Sequence, residues 1–415
     1  MQWVLTWFPE LLERITMKHL NRIATALALT AAAVATGSLT LQAQDAGTGN
    51  YVVSANDIYR APNSAGAFRL LGSTLFAAPT LETGGWGIGG TYFGTNAQAI
   101  ATVGSNVCVF VSDPGSDDIA AFNAGGFSNR QKIGNYFDPS GSGAYLGTTL
   151  VTRGSLLFVG YTATVNIGVF TINADCSLTL ANAASHTPIP APVDGLAVSP
   201  DGTTLIATYG QSEPGVGSFA ISGTTLTPKG PYNTTVGTAG VDITKDSKYA
   251  IIGEYGGTFP QIEIFPINAD SSLGASAAYS FPQGGFNSNN VMLSPDETRL
   301  YVTNNSSFQV TALAFNEHAG TGKQLSFFCI SNPLRAPAGN LPAYISGIAM
   351  AETTGKGGYL YVIEASFGPT FAIESAVSLL QIPADTCPAE VSGSPFLLPA
   401  GSSATTPSAY PPRPF

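Results

Sequence analysis

Charge is what this sequence has least of. Asp, Glu, Lys and Arg together make up 10% of its 415 residues, against about a quarter of an ordinary globular chain. Lys and Arg number 16, and the formal net charge is −10. A phosphate backbone needs a cluster of cations to neutralise it. No basic stripe occurs, so nucleic acid is not expected as a partner. The same shortage argues against a phosphorylated substrate and an anionic membrane surface. Histidine is almost missing, with only His19, His186 and His318. His186 (in SHTPIPAP) and His318 (in NEHAGTGK) read as loop residues rather than catalytic bases. There is no GxSxG elbow between a strand and a helix, so a serine-triad hydrolase is not indicated. The four cysteines, Cys108, Cys176, Cys329 and Cys387, form no CxxC and no Cys/His cluster, so no zinc site is expected. Helical periodicity is missing too: after residue 44 it never lasts beyond a turn or two.

What is plentiful is turn chemistry. There are 47 glycines and 28 prolines, and the chain is 44% hydrophobic. Ser, Thr and Asn crowd between short apolar runs. Such runs, β-branched or aromatic and cut by Gly, Pro, Asn and Asp, read as strands of an all-β protein with many tight turns.

Residues 1–43 are set apart from the fold. Lys18, His19 and Arg22 precede an apolar stretch from Ile23 to Val34, followed by Gly37 and Ser38. That is the order of a signal peptide, and the stretch is short for a membrane span. We expect a signal peptide over 17–43, cleaved after Ala43, with residues 1–16 an upstream start artefact. The expected location is periplasmic or extracellular, with no membrane span left after signal removal. In an oxidising compartment four cysteines permit two disulfides. Three pairings exist, and spacing does not choose among them.

One phrase recurs along the rest of the chain: a strand, a turn often written Ser-Pro-Asp-Gly, a strongly apolar strand, a polar break and another strand. The clearest copies are Leu196–Gly210, Val241–Tyr255 and Val291–Asn305. Taking the apolar centre of each second strand gives Val53, Phe110, Val159, Ile206, Ile251, Val302 and Val362. Successive centres lie 45 to 60 residues apart, a period that marks propellers and solenoids. The sequence therefore predicts a seven-bladed β-propeller of four-stranded antiparallel blades over residues 48–400. The first copy lacks an inner strand, and the Pro/Ser-rich tail at 401–415 is the candidate to supply it. FTINADCSL (Phe170–Leu178) and FPINADSSL (Phe265–Leu273) read as hairpin turns between third and fourth strands.

Tyr301-Val302-Thr303-Asn304 spells YVTN. Together with the turns at Ser199–Gly202 and Ser294–Glu297, the GGWGIGG segment (Gly84–Gly90) and GSPF (Gly393–Phe396), it resembles the lactonase-type seven-bladed propellers of bacteria, the 6-phosphogluconolactonase-like group. That resemblance implies a His, an Arg and a Glu at one channel mouth. The positions matching the His hold Gly195, Gly240 and Asn290. The position matching the Arg holds Asn305. The Glu has a counterpart in Glu254.

Carboxylates are the remaining chemistry. Glu254 and Glu364 lie just past the apolar centres of their strands, and Asp194 and Asp242 belong to preceding inner strands. Facing a shared funnel, such acids could act as base or accept hydrogen bonds from sugar hydroxyls. Glu254 is the catalytic candidate. Asp194, Asp242, Glu364, Asn305 and Trp86 are the ligand-binding candidates, Trp86 as part of an aromatic lip. The acidic DPGSDD segment (Asp113–Asp118) reads as a solvated hairpin tip. No cofactor is expected, although a structural or funnel-bound divalent cation fits the acidic loops. The expected function is an exported binding propeller that takes a small molecule, glycan or protein at a channel mouth. The alternative is a divergent lactonase that opens a lactone ring in the funnel.

Overall fold

The apolar runs of the repeat are strands, and the seven centres named above are each 0% exposed. A computed structural model of the protein describes residues 50–411, apart from 90–95, 128–129, 138–147, 162–163, 182–186, 211–214, 235–236, 256–260, 286, 319–321, 338–339, 351–357, 369–372 and 384. The start artefact, the signal peptide, His186 and the side chain of His318 thus lie outside the described residues.

Each centre sits on the second strand of a separate sheet, giving seven four-stranded antiparallel blades, two of them carrying one extra short strand. The second strands, in blade order, are Asn50–Ala55, Asn106–Asp113, Leu156–Tyr161, Thr204–Thr208, Tyr249–Tyr255, Arg299–Asn304 and Tyr359–Phe367. The inner strands of blades 2 to 7 are Gln98–Val103, Thr148–Arg153, Gly195–Val198, Gly237–Ile243, Ser288–Leu293 and Leu341–Ala349. Blade 1 takes its inner strand from the other end of the chain: Pro407–Tyr410 pairs antiparallel with Asn50–Ala55 and closes the ring. An innermost strand is an edge, which is where a proline that cannot donate to a ladder is tolerated.

The core is divided among the seams. Buried apolar residues form seven clusters, each shared by two neighbouring blades. Alternation along a strand explains this, because successive side chains point to opposite faces. In blade 2, Val109 and Val111 pack toward blade 1 while Cys108 and Phe110 pack toward blade 3. Both faces of each second strand are therefore apolar, as the near-continuous hydrophobic runs require.

Inner strands all run the same way, from an upper face where they begin to a lower face where they end. The repeated turns lie on the lower face. Asp201 accepts hydrogen bonds from Ser199 Oγ (2.6 Å) and Thr203 N (3.0 Å). Asp246 and Asp296 repeat this with Thr244 and Ser294. Asp175 and Asp270 fix the two Asn-Ala-Asp hairpins through Ser177 and Ser272. Some turns reach across seams as well: Asp201 N donates to Ser247 Oγ at 3.1 Å. Two disulfides also cross seams, Cys108–Cys176 between blades 2 and 3 and Cys329–Cys387 between blades 6 and 7.

Candidate functional site

All seven inner strands border one central cavity of about 230 Å³. The residue opposite each strand centre lines it: Ala99, Leu150, Ala197, Asp242, Val291, Ile348 and Ser408. This layer of the wall holds five apolar side chains, one hydroxyl and one acid. Asn96, Gln98, Arg153 and Asn290 add polar groups to the lining.

Much of that polarity is engaged in holding the ring. Innermost strands carry backbone groups with no further strand to pair with, and such groups must find partners when buried. Asp242 supplies two: Oδ1 accepts from Ile243 N and Oδ2 from Leu293 N of blade 6, each at 2.8 Å. Gln98 accepts from Ala55 N at 2.9 Å and donates to Thr406 O at 2.7 Å, tying blade 2 to both terminal strands. Gly240 lies so close to Asn290 that an added Cβ would meet its Oδ1 at 2.6 Å. Neither Gly240 nor Asn290 supplies an imidazole at these wall positions.

Toward the upper face, three residues past their strand centres, lie the buried Asn56, Asp113, Tyr209, Glu254 and Asn305. The first four face the preceding blade, whereas Asn305 lies on the face that Tyr301 turns to blade 7. Glu254 is opposite Thr238 and Gln261 on neighbouring strands, and its carbonyl accepts from Ser288 Oγ at 2.5 Å. Asn305 N donates to Asn287 O at 2.7 Å within blade 6, and its carbonyl accepts from Ile345 N of blade 7 at 3.4 Å.

Glu364 faces the corresponding way: Glu254 lies on the strand face of Ala250 and Ile252, Glu364 on that of Leu360 and Val362, and each face turns toward the preceding blade. Glu254 looks toward the seam with blade 4 and Glu364 toward the seam with blade 6. There Glu364 Oε2 accepts from Ser378 Oγ at 3.2 Å, and Glu390 stands beyond, held by Arg335 at 3.0 Å. Burial, reinforced by the charge of Glu390, pushes the Glu364 carboxyl up to about 8.

Asp194 immediately precedes the inner strand of blade 4, on the upper face, and loss of water lifts its carboxyl to about 8. Trp86 ends the outermost strand of blade 1, also on the upper face, and is 50% exposed. Tyr92 and Phe93, the expected remainder of an aromatic lip, lie outside the described residues. Of the six candidates, Asp242 alone borders the cavity; the others occupy separate seams or the rim.

The upper mouth has a further cluster that the sequence reading missed. Burial raises the Tyr344 hydroxyl, the neighbouring Ser403 opposes that, and Asp57 and Tyr255 add repulsion. These residues come from blades 7, 1 and 5 and the closing segment, so no local spacing could have joined them.

No family model matches the sequence, and no curated protein matches it either. Solved structures do match. A candidate 6-phosphogluconolactonase from Bacteroides uniformis has a TM-score of 0.62 at 13% identity, over 88% of this chain and 100% of that one. The periplasmic gluconolactonase of Pseudomonas aeruginosa has a TM-score of 0.59 at 14% identity, over 87% and 98%. A functionally unknown protein from Desulfotomaculum acetoxidans reaches 0.58 at 14%, over 89% and 100%. At such identities the likeness establishes the fold: a seven-bladed propeller whose structural neighbours include 6-phosphogluconolactonase-like and gluconolactonase propellers.

Proposed function

We propose that this protein is an exported propeller that binds a small, hydroxyl-rich ligand at the upper mouth of its channel without hydrolysing it. The observation that carries this reading is the state of Asp242. It is the one candidate acid on the cavity wall, and its two oxygens accept backbone amides. Both oxygens are thus engaged in holding two inner strands, whereas a general base must be aimed at the water or hydroxyl that it deprotonates. The mouth is suited to binding, since the Tyr255 and Tyr344 rings and nearby amide groups offer stacking and hydrogen bonds to a polyol. Export is supported by the amino-terminal segment and by two disulfides, which persist in oxidising compartments.

Lactone hydrolysis is the competing reading, favoured by the gluconolactonase among the structural neighbours. One experiment separates the two. Purified protein is assayed on a panel of sugar lactones beside Glu254→Gln, and binding of the corresponding aldonates and neutral sugars is measured by calorimetry. The expected result is no turnover above buffer, with at least one ligand bound. That binding should be lost in Tyr344→Ala, which removes one of the rings proposed to stack on the ligand at the upper mouth. Turnover that disappears in Glu254→Gln would instead establish a lactonase.

A further inference from the structure

We infer that blades 1 and 2 are joined at the upper face by a divalent cation, calcium by its donor set, held between Asp113 and Asp118 with Asn63 and Thr83. This inference is independent of the ligand proposed for the channel.

Asp113 ends the second strand of blade 2 and Asp118 begins the third, so the two acids are a cross-strand pair. The expected solvated hairpin tip is in fact docked, and both acids are buried. Ser116 Oγ accepts from Trp86 N at 2.9 Å and Gly115 N donates to Trp86 O at 2.8 Å, which fastens the hairpin to the outermost strand of blade 1. Gly85 of that strand faces Asp113 so closely that a Cβ there would run into Oδ2. A bare backbone is thus placed where any side chain would invade the carboxylate.

Two ionised carboxylates in contact inside a seam repel strongly unless something positive lies between them. Among the described residues neither acid has an ion-pair partner. Lys132 has its Nζ beside Gly84 and forms no ion pair with either acid among the described residues.

The donor inventory is that of a hard cation. Asn63 is 1% exposed and its Oδ1 has no hydrogen-bond partner, nor does Asp113 Oδ2. The Asn63 amide is positioned on the acid, with Nδ2 donating to Asp113 Oδ1 at 2.8 Å. Thr83, fully buried, adjoins the same carboxylate and donates to Asn63 O at 2.9 Å. Two carboxylates, an amide oxygen and a hydroxyl, all oxygen, are the ligands calcium takes, and the two negative charges match its own.

Terbium reports on this site because Trp86 directly follows Gly85 and can sensitise its emission. The full chain, stripped with chelator at pH 7.5, is titrated with terbium under tryptophan excitation and, separately, melted with and without calcium. We expect sensitised emission that calcium competes away and a rise in melting midpoint with calcium. Trp86→Phe should lose most of the emission and keep the calcium-dependent rise. Asp118→Asn should weaken terbium binding by at least roughly tenfold, as removal of one charged ligand does. Wild-type protein that shows neither emission nor a calcium shift would mean that the pair shares a proton and binds no metal. Binding that survives Asp118→Asn unchanged would overturn the assignment equally. The wild-type arms need no variant, so the test stands even where a substitution impairs folding.

Discussion

Glu364 keeps its proton long after a free glutamate has lost it. The ordinary value is 4.5, and burial beside Glu390 moves it to about 8. Between those values the folded chain holds a proton that the unfolded chain has released. Stability from this group is therefore complete below about pH 4.5 and is lost progressively as pH rises through about 8, by a few kcal/mol in order of magnitude. Glu364→Gln should flatten that decline, which urea midpoints at pH 5 and pH 8.5 will measure. Asp194, raised for a similar reason, leaves a remainder in the variant. Equal slopes in wild type and Glu364→Gln would contradict the burial account. The residue scale is also where the sequence was hardest to read. Glu254 and Glu364 look alike beside their apolar runs and both turn toward the preceding blade, yet belonging to blades 5 and 7 they end in different seams. Proximity to a strand centre is visible in a sequence; which face a side chain takes depends on counting from the right centre.

Blades are joined by few covalent links, and the two disulfides differ in shelter. Cys108 and Cys176 are fully buried, whereas Cys329 and Cys387 are only partly so. Graded reductant followed by alkylation and mass spectrometry should label Cys329 and Cys387 first. The partners are 68 and 58 residues apart, so each bond removes about 4 kcal/mol of chain entropy from the unfolded state on the loop-closure account. Labelling of all four at the same reductant concentration would show that blade opening, not burial, controls access. Strand positions were legible because each apolar run is bounded by its own turn residues. The disulfide pairing was not, because a cysteine on a second strand and one in the next blade's hairpin turn carry no shared local signal.

At the scale of the whole molecule, the ring is closed by four residues. Tyr51 stacks on Phe127 at 4.3 Å between ring centroids, and Tyr410 packs on Phe127 at 5.6 Å, so the closing strand also seals the seam between blades 1 and 2. Ending the chain at Gly401 should lower the unfolding midpoint markedly. A synthetic peptide covering 402–411 should restore part of it, and a truncated chain as stable as the full one would show that closure adds little. The period of 45 to 60 residues made the number of blades readable, since a repeated phrase survives divergence in its details. The channel wall was less so: seven residues from seven blades meet only once the ring exists, and nothing along the chain announces the meeting.

The closing strand also sets an order of events. Ser54 and Thr406 are hydrogen-bonded across 352 positions of sequence, so the first blade to be synthesised is the last to be completed. Until Pro407–Tyr410 has left the ribosome, Asn50–Ala55 has an open edge and the circle has a gap. A ring built this way cannot lock while it is still being made. With the export proposed above, that delay is useful: a chain threaded unfolded across a membrane keeps an open ring until its closing strand has followed.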